Sequence, residues 1–141
     1  MKTTKILVQK SETGLSEDNK AKLKSLEIYK DKKHFKFSNG WVDLSYELGK
    51  NIEEVCELAN CELPKIEAMY NKYNSLRVDY NFTSPVPKIV ETLIDSLIYV
   101  TEDKSEMICE YCGKSCDIEI TEKNNNYINA CEKCFDRKNR D

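Results

Sequence analysis

Four cysteines near the end of the chain stand in two C-x-x-C pairs, Cys109 with Cys112 and Cys131 with Cys134. The pattern, C-x2-C-x18-C-x2-C, suits a divalent zinc ion, which prefers four ligands in a tetrahedron. Two residues between thiolates let one tight turn supply half of the set. Gly113 follows Cys112 directly and can take the left-handed conformation that such a turn needs. In a reducing compartment paired thiols read as metal ligands; disulfides are the alternative. Four thiolates on a divalent cation leave about two excess negative charges, which backbone N–H groups and Lys114, Lys133, Arg137 and Lys138 can offset. One structural Zn2+ is the only cofactor expected.

Between the pairs, Ile118 and Ile120 alternate and Asn124–Asn126 can turn, which predicts a hairpin. The second pair would open a short helix. CEYCG and INACEKC therefore resemble the two knuckles of GATA-type and related treble-clef zinc fingers, over about 30 residues. That resemblance implies zinc on Cys109, Cys112, Cys131 and Cys134. It carries DNA reading poorly, because the hairpin holds Asp117, Glu119 and Glu122 where GATA fingers are basic and apolar. Cys116 reads as a spare thiol, and His34, the sole histidine, is remote in sequence. About thirty residues cannot bury enough apolar surface to fold alone, so the metal would supply the folding energy.

A second pattern lies at 51–73, where NIEEVCELANCELPKIEAMYN resembles the helix-turn-helix of lac-repressor-type regulators. Ile52, Val55, Cys56 and Ala59 share one helical face, and Asn60 can end that helix in the left-handed region. Pro64 suits the first turn of a second helix carrying Leu63, Ile66, Met69 and Tyr73. Cys56 and Cys61 then read as small core residues. If DNA is bound there, Lys65, Asn71 and Lys72 are the contacts, although Glu62 and Glu67 would repel phosphate.

The elements that must position these groups are legible to different degrees. TKILVQK (4–10) predicts a strand. Ser16 predicts an N-cap for a helix bearing Leu23, Leu26 and Tyr29. HFKFS-NG-WVDLS predicts a hairpin on a type I′ turn at Asn39-Gly40, with Phe37 facing Val42, Phe35 facing Leu44 and Lys36 meeting Asp43. Trp41 would begin the return strand. Ser84 and Pro85 predict the start of a third helix with Ile89, Val90, Leu93, Leu97 and Val100 as its apolar positions, and TEDKSE reads as a charged linker.

The expected fold class is α+β: a mixed domain over 1–100 built of a β-hairpin and helices, a linker at 101–108 and a zinc finger at 109–141. Charge is uneven, with 10 basic against 5 acidic side chains in residues 1–40 and a net charge of −3 overall. A general nucleic-acid binder would more often be basic. Lysine outnumbers arginine 19 to 3, the bias of an AT-rich coding genome such as a low-GC bacterium or its phage. No apolar run approaches a membrane span or secretory signal, so a cytoplasmic protein is expected. Catalysis is not expected: there is one histidine, no glycine-rich phosphate loop, and a four-cysteine shell leaves zinc no open position. No small-molecule substrate is expected either. Two functions follow: a small zinc-binding transcriptional regulator that binds DNA through 51–73, or a protein-binding adaptor or inhibitor, phage-encoded and acting on a host protein.

Overall fold

Ser16 caps the first helix as its residue type predicts. Its Oγ accepts the Asn19 N–H at 3.2 Å and opens α1 (Glu17–Lys24). The structure, a computed structural model, describes residues 14–31 and 35–114. The expected strand at 4–10, His34, Cys116, Cys131 and Cys134 lie outside the described residues, as does the hairpin expected between the cysteine pairs.

Helix α1 gives way to a 3-10 turn at Glu27–Tyr29, so Leu23, Leu26, Ile28 and Tyr29 all reach the core. The Tyr29 hydroxyl donates to the Ser45 carbonyl at 2.7 Å. Burial, and then the Glu53 charge, push its pKa upward, so it remains a donor. Strand β1 (Phe35–Lys36) is short and leads through Phe37 to a 3-10 turn at Asn39–Trp41. Helix α2 (Val42–Ala59) follows and ends at Asn60, which adopts φ 56, ψ 47 with the Cys61 N–H bonded to the Cys56 carbonyl at 2.9 Å. That left-handed end is the one the sequence predicts.

Strand β2 (Lys65–Lys72) turns at Tyr73-Asn74 into β3 (Ser75–Asn81), and helix α3 (Lys88–Ser105) closes the order. The sheet runs β1-β2-β3, with β1 parallel and β3 antiparallel to β2. Both turn residues have positive φ, 56 and 66, as a type I′ turn requires. Helix α3 packs on α2 and on β3. It also seals the outer edge of β3, where unpaired N–H groups would otherwise recruit another strand. Leu76 N–H donates to Ser105 Oγ at 2.8 Å and Val78 N–H to Glu102 Oε2 at 3.0 Å.

The α+β class holds among the described residues, with three α-helices and a three-stranded sheet. Four local expectations are corrected. Asn39-Gly40 is no hairpin turn, since the chain winds there into a 3-10 turn and then α2, so Phe37 does not pair with Val42. The second helix of the helix-turn-helix is strand β2. Its misleading three-residue spacing of Ile66 and Met69 has a physical cause: a bulge between Ile66 and Ala68 inserts an extra residue, so both side chains face inward. Helix α3 begins after Pro87 rather than at Ser84-Pro85. Residues 101–105 form its last turns, with Thr101 and Ser105 buried, where a linker was expected.

No helix among the described residues is long and apolar enough to cross a membrane.

Candidate metal centre

Beyond α3 the chain folds into a tight loop around the first cysteine pair. The Cys112 N–H points at Cys109 Sγ at 3.4 Å, and the Gly113 N–H donates to the Cys109 carbonyl at 2.9 Å. Cys109 N–H in turn donates to the Lys114 carbonyl at 3.0 Å. Gly113 sits at φ +79, the left-handed conformation expected after the second cysteine. An N–H aimed at sulfur is the kind of contact that offsets charge on a metal-bound sulfur. The donor set therefore fits zinc for the half of the site that is described. Cys109 is fully buried and Cys112 is exposed. Cys131 and Cys134 would complete the tetrahedron. Among the described residues alone, no group of three or more candidate ligands forms.

The loop is fastened to the α+β domain through residues that the sequence pattern did not single out for this task. Gly40 N–H donates to the Glu110 carbonyl at 2.6 Å. The Glu110 carboxylate accepts the Ser38 N–H at 3.1 Å and the Asn71 side-chain amide at 2.7 Å, although it is itself buried. The Trp41 indole N–H reaches the Ile108 carbonyl at 3.0 Å. A buried carboxylate is tolerated only when its oxygens are hydrogen-bonded, and here both are. Behind these contacts runs a row of rings, Tyr29, Phe35, Phe37 and Trp41, with successive centroids 5.7, 6.0 and 6.3 Å apart. Packing from α1 thus continues to the cysteine loop.

Gly40 is the tightest point. A Cβ built there would lie 2.2 Å from the Cys109 carbonyl oxygen and 2.4 Å from Glu110 backbone atoms. Its φ is not positive, so the glycine serves close approach between two backbones and not an unusual conformation.

The residues expected to touch DNA are not brought together on a helix. Lys65 and Lys72 are exposed at opposite ends of β2, and Asn71 is half-buried and committed to Glu110. Cys56 and Cys61 are free thiols, as expected of core residues. Burial, and then the charge of Cys61, raise the pKa of Cys56. Neither family models, curated proteins nor solved structures yield a match to this chain.

Proposed function

We propose that this chain is a zinc-stapled adaptor or inhibitor that binds a protein partner, with Cys109, Cys112, Cys131 and Cys134 holding one structural zinc. The observation that carries the protein-binding part is a set of large apolar side chains on the helices that face solvent: Leu58 on α2 and Ile89, Leu93, Tyr99 and Val100 on α3. Three of them, Leu58, Ile89 and Leu93, line one groove, and contiguous exposed apolar surface marks interaction sites. The DNA reading depended on a recognition helix at 64–73, and that segment is extended. The zinc part is supported by the loop geometry at Cys109–Gly113. When bound, the metal would join that loop to the second pair, with Cys112 N–H and Lys114 close by to temper the thiolate charge.

Elemental analysis of protein purified without chelator should return one zinc per chain, and Cys109→Ser or Cys131→Ser should abolish it. Chelation should lower the melting temperature of the whole chain by roughly 10 °C or more, because ligand binding is folding energy here. Duplex DNA at low salt should not be retained. Retention that weakens steeply with salt and requires Lys65 and Lys72 would overturn the protein-binding reading in favour of a DNA-binding regulator.

A further inference from the structure

Helix α3 is apolar on two sides. Val90, Ile94 and Ile98 are buried against the rest of the domain. Ile89, Leu93 and Val100, which the sequence places in one stripe at helical spacing, point instead to solvent. At the N-terminal half of this stripe α3 meets the C-terminal half of α2. Val55, Leu58, Ala59, Ile89, Val90 and Leu93 line a shallow groove of about 260 Å³ there. Leu58 is 82% exposed, Ile89 74% and Leu93 47%, so the groove rests on side chains that nothing in the described fold covers.

Carboxylates predominate beside the groove on the α2 side. Residues 51–64 carry four carboxylates and no lysine or arginine, and Glu91 stands on α3 between the lining residues Val90 and Leu93. Glu54 and Glu57 are exposed on α2 beside Leu58. Cations occur only at the borders: Lys65 begins the next strand, and Lys88 is paired with Glu91 at 3.9 Å. An apolar floor inside a negative field selects a ligand with an apolar anchor and positive flanks. Helix-in-groove docking meets this requirement with anchors at i, i+3 or i+4, and i+7.

Resting on the protein-binding reading above, we propose that the α2–α3 groove is the docking site for an amphipathic helical segment of a partner protein, with an apolar stripe flanked by lysine or arginine. Leu58, Ile89 and Leu93 hold the anchor side chains; Glu54 and Glu57 steer the basic flank.

The test uses the full zinc-loaded chain and two helix-forming peptides of about four turns. They share one leucine stripe and differ only in flanks of lysine and arginine or of glutamate. Calorimetry should show binding of the basic peptide, and binding of the acidic one at least roughly tenfold weaker. Leu58→Asp and Leu93→Asp, which alter exposed side chains and should leave the melting temperature unchanged, should each cost the basic peptide about tenfold or more in affinity. Glu54→Lys combined with Glu57→Lys should weaken it about threefold and flatten its salt dependence. Equal binding of both peptides, or binding indifferent to Leu58→Asp, overturns the proposal. So does a dimer in sedimentation that Leu58→Asp dissolves, which gives the groove to a second copy. If only the Ile6→Asp chain binds the basic peptide, the groove belongs to the protein's own N-terminal segment and the proposal also falls. DNA retention tests the earlier reading separately, since it does not involve the groove.

Discussion

Two short turns in this molecule exchange the roles their sequences suggest. Asn39-Gly40 is the dipeptide a tight hairpin favours, yet it lies in a 3-10 turn that leads into a helix. Tyr73-Asn74 contains no glycine, and Tyr73 is bulky, yet both residues take positive φ and join the two long strands. The difference lies in what surrounds each turn. At the second, seven residue pairs between β2 and β3 are in register, with Ile66, Met69, Leu76 and Val78 buried on the core side. That pairing outweighs the roughly 1–2 kcal/mol a non-glycine residue spends in the left-handed region. At the first, the backbone of Glu110 fills the space where a side chain on Gly40 would stand. Glycine there is selected by a contact 70 residues away in the chain and not by local turn geometry.

The largest effect that separates these explanations is expected from Gly40→Ala. If Gly40 served only its own turn, alanine at a negative φ would be harmless or mildly stabilising. Because a Cβ would strike carbonyl and backbone atoms, a loss of about 3 kcal/mol or more is expected in chemical denaturation, with reduced zinc retention. Glu110→Gln should come next. It leaves one of the donors, Ser38 N–H or the Asn71 amide, facing an amide instead of a carboxylate oxygen, at a cost of roughly 1–3 kcal/mol. At the other turn the sign should reverse. Tyr73→Asn relieves a bulky residue at φ 56 and sacrifices only an exposed cation–π contact with Lys72 at 5.5 Å, so a gain of roughly 0.5–1 kcal/mol is expected in the same assay.

The smallest effect concerns the seal on β3. Burial pushes the pKa of Glu102 upward, opposed by the Val78 N–H and Arg77 and reinforced by Asp79. A carboxyl whose folded pKa exceeds its unfolded value binds protons more readily in the native state. Its ionisation therefore lowers stability as pH rises from the ordinary carboxylate value of about 4.3 through the folded value. Glu102→Gln keeps an acceptor for Val78. Its melting temperature should equal or slightly exceed that of the parent at neutral pH, with the gap closing as pH falls below the carboxylate range. A variant less stable at neutral pH would show instead that the charge itself holds the strand edge.

What the sequence could and could not announce follows from the range of each interaction. Ser16 and Asn60 act on backbone groups a few residues away, and both do what their types predict. The Cys109-x-x-Cys112-Gly113 turn is equally local, and its left-handed glycine was foreseeable. The residues of strand β2 carry a helical spacing because a bulge turns a two-residue period into a three-residue step, and pattern alone does not separate the two. Glu110, Gly40 and Trp41 remained hidden for a different reason. Their bonds join positions 39 to 72 residues apart, beyond any periodic signal. The apolar stripe Ile89, Leu93 and Val100 was visible as a stripe, but which side of α3 it occupies was decided by the sheet.

Trp41 is the only tryptophan in the chain, and its indole N–H is bonded to a carbonyl one residue before Cys109. Ultraviolet emission excited at the indole band therefore comes from a single chromophore set against the cysteine loop. Unseating the loop would wet that ring and shift the spectrum to the red. The protein carries its own optical gauge of that loop's seating, one that would report in real time and without any attached dye whether zinc added or withdrawn disturbs it.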